Sequence, residues 1–418
     1  MNVFEEYESN VRSYCRSFPG VFHKAKGSII YSESGDEYID FFAGAGALNY
    51  GHNNEYIKQK VIHYLMSDGI SHGLDMHTLA KREFIEKFLE TILNPRKLNY
   101  KIQFCGPTGT NAIEAALKLA RKVKKRTGIF SFMGGFHGMS LGSLSATGNI
   151  GYRAGAGTIL TNVSFMPYPY GFMSTFDSIE YIESVLNDSN SGIELPSAII
   201  FETVQAEGGV IIAPIEWMQR LRKLCDKYDI LLICDDIQVG CYRTGTFFSF
   251  ERANIVPDIV AISKSISGYG APMSLLLMKP EIDIWKPGEH TGTFRGYQLA
   301  FVGAKAALEY IENNDLEYEV KIKESYLINF LNNEIAPIND KISIRGLGMI
   351  WGIDLSNFGG AEFASRIASQ CYRLGLIIER AGRNDTVIKI IPPLTIEMNL
   401  LEKGCSTIKQ SFIDCIKK

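Results

Sequence analysis

Between Ile102 and Met278 the chain alternates short apolar runs with stretches of helical period, and this alternation restricts the fold more than any other feature. Seven runs stand out, at residues 102–104, 129–132, 163–166, 198–201, 231–234, 259–262 and 274–278. Three of them, 198–201, 231–234 and 259–262, are continuously apolar, which marks strands covered on both faces by helices, the habit of parallel sheets. Strand and helix in strict alternation predict a mostly parallel, doubly wound α/β sheet. With 418 residues the chain exceeds the roughly 250–300 at which one core stops growing, so a large domain with a smaller partner is expected. Beyond residue 300 long amphipathic helical stretches frame apolar runs at 342–351 and 387–391, the texture of a smaller α+β domain. Near the N-terminus, residues 28–31 and 38–41 flank the turn cluster Ser34-Gly35-Asp36 and read as a hairpin. The expected division is 1–55 as the N-terminal part of the small domain, 56–300 as the large domain and 301–418 as the C-terminal small domain.

Two of the predicted strands deliver reactive side chains to one edge. Asp235 ends the run 231–234, and Lys264 follows the run 259–262. In open α/β sheets ligands bind outside the carboxyl ends of the strands, so acid and amine should face one crevice although 29 positions separate them. A lysine able to bond an aldehyde, with a carboxylate able to keep a pyridine nitrogen protonated, is the minimal protein apparatus of pyridoxal phosphate chemistry. Gly106-Pro107-Thr108-Gly109-Thr110-Asn111 adds an anion site. It lies between a strand and a helix whose Ile113, Ala116, Leu117 and Ala120 share a face, so free amides at the helix start, with Gly109 and Thr110, suit a phosphate. Gly44-Ala45-Gly46 lacks the third glycine and the ribose-binding acid of a dinucleotide loop and reads as a turn beside a substrate.

The segment from Asp235 through Gln238 and Gly240 to Arg243-Thr244-Gly245, followed by Lys264, resembles the signature of the class III aminotransferases of pyridoxal phosphate fold type I. Nearly the whole chain shares the resemblance. Arg12-Ser13-Tyr14-Cys15-Arg16, Ser71-His72-Gly73-Leu74-Asp75-Met76 and Trp285-Lys286-Pro287-Gly288-Glu289-His290 are similar to the subfamily that makes 2,4-diaminobutyrate, as used in ectoine synthesis. The resemblance implies a seven-stranded large domain and catalytic roles for Lys264, as cofactor anchor and proton carrier, and Asp235, as partner of the pyridine nitrogen. It also implies cofactor contacts from Gly109, Thr110, Phe136, His137, Glu202, Gln238 and, across a homodimer or a dimer of dimers, Thr293 of His290-Thr291-Gly292-Thr293. Glu207, Arg345 and Lys389 fall on substrate-binding landmarks. Lys389 stands three residues before Pro392, where many members carry an arginine for the substrate's α-carboxylate, and Asn111 stands where a glutamate is usual. The implied reaction transfers the terminal amino group between glutamate and aspartate 4-semialdehyde. Another ω-amine such as ornithine or 4-aminobutyrate, an aminomutase, and a silent binding protein of the same fold are the alternatives.

Composition excludes other classes. A formal net charge of −3 and 21% charged residues give no basic footprint for nucleic acid or an anionic membrane. No run approaches the roughly 20 apolar residues of a membrane span, and the acidic N-terminus has no apolar leader. The eight cysteines form no CxxC pair, which suggests reduced thiols of a cytoplasmic protein and no zinc site. The expected partners are amino acids and 2-oxo acids.

Overall fold

A computed structural model describes residues 3–171 and 175–417. All seven predicted strands of the large sheet form, each within a residue or two of its predicted bounds. They are labelled β1 (Lys101–Phe104), β2 (Ile129–Phe132), β3 (Val163–Met166), β4 (Ala198–Phe201), β5 (Leu231–Asp235), β6 (Ile259–Ile262) and β7 (Leu275–Met278). Their order is β1-β7-β6-β5-β4-β2-β3; β7 runs antiparallel to both neighbours and the other pairs are parallel. This is the seven-stranded large domain that the resemblance implies.

Side-chain alternation divides the core into two layers. Leu231 and Ile233 of β5 and Ile259 and Ala261 of β6 pack with Ala112, Ile113, Ala116 and Leu117 of the helix Gly109–Lys124. Leu232, Cys234, Val260 and Ile262 face the opposite layer, with Trp217 and Leu221 of the helix Ile215–Lys227. Asp235 has the parity of Ile233, so it emerges on the side of the helix Gly109–Lys124.

The C-terminal region builds an antiparallel sheet ordered Ser343–Leu347, Ile350–Asp354, Val387–Ile390, Glu379–Ala381. The apolar run 342–351 is two strands and not one, because Gly348 turns the chain at φ +57 and the halves pair, Leu347 opposite Ile350. Ile29–Ser32 and Glu37–Asp40 form the expected hairpin. Two additions enlarge it: Phe22–Lys26 on one edge, and Leu376–Ile377, parallel to Glu37–Asp40, on the other. That last pairing ties the first 55 residues to the C-terminal region.

Candidate active site

The carboxyl ends of β2, β4, β5 and β6 and the start of the helix Gly109–Lys124 enclose a cavity of about 300 Å³. Gly109, Thr110, Phe136, His137, Glu202, Glu207, Asp235, Gln238 and Lys264 line it, so nine residues expected from widely spaced segments meet in one place.

Asp235 is almost fully enclosed and is held at two points: His137 Nδ1 lies 2.8 Å from Oδ2, and the amide of Ile237 donates to Oδ1 at 3.2 Å. His137 is therefore a brace of the carboxylate. Glu202 accepts from the amide of Phe136 at 3.0 Å, and burial, reinforced by the charge of Asp235, holds its carboxyl well above the usual range. Lys264 adopts the left-handed conformation, φ +51, uncommon for a side-chain-bearing residue and a mark of functional strain. Its Nζ donates to the carbonyl of Ala45 at 2.9 Å, and burial lowers its pKa to about 8. The Ala45 carbonyl also accepts from Gln238 Nε2 at 2.9 Å, so the turn 43–46 does border the site.

At the opposite end, Thr108 caps the helix Gly109–Lys124. First-turn amides of a helix have no intrahelical acceptor, and those of Gly109 and Thr110 open on the cavity wall. A Cβ on Gly109 would stand 2.9 Å from Ile237, and one on Gly138, φ +122, 2.3 Å from Thr110 Oγ1, so glycine keeps this wall bare. Thr110 Oγ1 is shared with Ser140, at 2.9 Å, and Ser143, and Ser140 Oγ in turn donates to Glu114 at 2.5 Å. Free amides, a flat aromatic side chain, an enclosed carboxylate and a lysine of depressed pKa fit the phosphate, ring, ring nitrogen and aldehyde of pyridoxal phosphate.

The three other expected residues lie elsewhere. Lys389 sits behind the cavity with no exposed side-chain surface; its Nζ is 2.6 Å from Glu207 Oε1, 2.6 Å from Glu379 Oε1 and 3.3 Å from Gln238 Oε1. Burial would raise the pKa of Glu207, but Lys389 and Lys264 outweigh it and bring it down to about 2. For Glu379 burial wins, and its pKa rises to about 7. Arg345 binds Asp354 Oδ2 at 2.8 Å and the carbonyl of Gly209 at 2.8 Å, outside the lining. Thr293 is exposed on this chain and does not reach its own cavity.

A sequence model described as aminotransferase class-III matches residues 13–412. The chain belongs to the class-III aminotransferases. This class-III aminotransferase depends on pyridoxal 5'-phosphate. It is 53% identical over 413 residues to a diaminobutyrate–2-oxoglutarate transaminase of Halalkalibacterium halodurans, covering 99% of this chain and 96% of the relative. A Streptomyces coelicolor protein of the same name is 51% identical over 417 residues, 98% of this chain and 97% of that one. A Bacillus anthracis aminotransferase of known structure superposes with a TM-score of 0.88 at 25% identity, over 98% of this chain and 97% of the other.

Sequence reasoning missed Glu379 and the Ala45 carbonyl in this aminotransferase. Glu379 is directly opposite Lys389 across a strand pair, a register no linear motif reports. Ala45 contributes only a backbone oxygen, aimed by a left-handed turn, and a backbone oxygen has no residue signature. The one available signal was Gly44 and Gly46 flanking it.

Proposed function

We propose that this enzyme is a diaminobutyrate–2-oxoglutarate transaminase, moving the terminal amino group between L-glutamate and L-aspartate 4-semialdehyde to give L-2,4-diaminobutyrate and 2-oxoglutarate. The observation that carries the reading is identity above 50% along nearly the whole chain to relatives named for that activity. The cavity is its physical support. When bound, the cofactor supplies an aldehyde that carries nitrogen between the substrates and a ring that takes up the electrons of a broken C–H bond. Lys264 would hold it covalently, and its amine would move a proton on the substrate carbon; a pKa of about 8 lets the amine act as a base near neutral pH, a contribution typically of ~10²–10⁴-fold. Asp235, braced by His137, keeps a negative charge at the ring nitrogen. Phe136 would give the ring a flat apolar wall, Gln238 and Glu202 would contribute polar groups beside it, and Gly109 and Thr110 would hold the phosphate. Glu207 and Lys389 form a neutral pair beside the reacting centre, and Arg345 supports the Gly209 backbone behind it.

The proposed active unit is a homodimer or a dimer of dimers in which Thr293 of one subunit closes the phosphate site of the other; Phe294 beside it is 64% exposed and supports a protein contact there. The proposed division of the chain at about residues 55 and 300 is supported by the pairing of Leu376–Ile377 with Glu37–Asp40. A cytoplasmic location is proposed on eight cysteines that form no CxxC pair, and supply of diaminobutyrate for ectoine synthesis on the subfamily resemblance. Among the described residues no helix is long and apolar enough to cross a membrane.

The purified protein is expected to be yellow and to lose its visible band in Lys264→Ala. Borohydride reduction and peptide mapping should find the pyridoxyl group on Lys264; its recovery on another lysine would overturn the assignment. In single-turnover spectra, glutamate and 2,4-diaminobutyrate should each bleach the band of the wild type. Silence toward diaminobutyrate with a response to another ω-amine would reassign the substrate.

A further inference from the structure

The loop that leads into the helix Gly109–Lys124 starts at Gly106, and a side chain from the first turn of that helix folds back to close it. Asn111 Oδ1 accepts from the amide of Gly106 at 2.8 Å, and the carbonyl of Gly106 accepts from Ser274 Oγ at 2.6 Å. Gly106 is thus gripped through both backbone groups. The fit is close, since a Cβ on Gly106 would lie 3.1 Å from Asn111 Cγ. The amides of Gly109 and Thr110 lie inside this closed loop, so their direction depends on how the Asn111 carboxamide is turned.

His290 sets that turn. Its Nε2 lies 3.1 Å from Asn111 Oδ1, and its Nδ1 lies 3.3 Å from Lys118 Nζ. An ammonium only donates, so Nδ1 is the bare nitrogen and Nε2 carries the hydrogen. The other end agrees: Asn111 Oδ1, which already accepts from Gly106, meets Nε2 as an acceptor. The ring is half-buried, and burial with the charge of Lys118 keeps its pKa below the usual histidine value, in keeping with a neutral donor.

The histidine is itself held by contacts that do not involve the loop. Asn111, Lys118 and Lys122 share one face of the helix, at spacings of seven and four, and residues 285–290 lie along it. Lys118 Nζ donates to the carbonyl of Glu289 at 2.9 Å, and Lys122 pairs with the Glu289 carboxylate. Both ammonium groups stand over the ring of Trp285, at 5.8 and 5.6 Å from its centroid. Trp285 Nε1 in turn donates to Gln103 Oε1 of β1 at 2.9 Å, and Arg295 Nη1 donates to the carbonyl of His290 at 3.1 Å. The imidazole is therefore placed from outside and can impose its position on Asn111.

We propose that His290 is a positioning residue of the phosphate cradle: its Nε2–H fixes the Asn111 carboxamide, which through Gly106 keeps the loop amides turned toward the cavity. The inference rests on the assignment of Gly109 and Thr110 to the phosphate and names what holds them in place.

The test titrates cofactor-free protein with pyridoxal phosphate and with pyridoxal, which lacks the phosphate. The ratio of the two Kd values isolates phosphate recognition from recognition of the ring and aldehyde and from general loss of stability. His290→Ala should lower the preference for the phosphorylated form by about fivefold, the worth of one hydrogen bond, and His290→Gln, which keeps a neutral N–H donor, should restore most of it. His290 is three residues from Thr293, so a double-mutant cycle separates the two routes. In Asn111→Ala protein, His290→Ala should have little further effect; in Thr293→Ala protein it should keep its full effect. The reverse pattern would overturn the inference. Thr110→Ala reads the cradle separately: a preference lowered there but unchanged in His290→Ala would overturn the role of His290 alone, and a preference unchanged in both would take the cradle assignment with it.

Discussion

Lys264 carries two local costs, a left-handed backbone and an amine removed from water, and both are set by the residues around it. Burial lowers its pKa; Glu207 raises it in part and Lys389 lowers it again. In cofactor-free protein the amine should therefore become reactive toward trinitrobenzenesulfonate with a midpoint near pH 8, not near the ordinary lysine value. Glu207→Gln removes a nearby negative charge and should move the midpoint down, while Lys389→Met removes a positive charge and should move it up. A midpoint insensitive to both substitutions would mean that the cluster does not act on Lys264. The same shift is a statement about stability. A lysine whose folded pKa lies below its unfolded value of 10.5 binds fewer protons when folded, so its penalty is fully present below about pH 8 and is relieved as pH rises from there to the unfolded value.

The element that receives this amine is the turn Ala43–Gly46. All four residues have positive φ, at 48, 59, 57 and 85, so it is a single left-handed turn that includes two alanines. Surrounding contacts hold it there. Asp40 Oδ1 accepts from the amides of Phe42 and Ala43 at 2.8 Å each, and Ser265 Oγ donates to the carbonyl of Gly46 at 2.7 Å. Its product is the Ala45 carbonyl, aimed at Lys264 and Gln238. A β-branched residue tolerates this conformation worse than alanine, and glycine tolerates it freely. Ala45→Val is expected to be less stable than Ala45→Gly by on the order of 1–2 kcal/mol in urea unfolding of cofactor-free protein. Equal stabilities would show that the turn is not strained as described.

At the scale of the molecule, one subunit supplies every expected cofactor contact except Thr293. Mixing Lys264→Ala with Thr293→Ala protein should, after verified subunit exchange, regenerate intact sites in statistical proportion; no recovery would count against a shared site. How much of this was legible in the chain follows from the range of each interaction. Hydrophobic period is local, so β1 to β7 and the helix Gly109–Lys124 could be read directly, and strand polarity then placed Asp235 and Lys264 on one edge. Cross-strand register is not local. Nothing in the linear chain sets Glu379 opposite Lys389 or joins Leu376–Ile377 to a hairpin more than 300 residues away. The positions of Lys389 and Glu207 in the chain marked both as substrate-binding landmarks. Only packing decided that the lysine is enclosed by three acceptors, because the number of partners around a buried charge depends on every segment that folds against it.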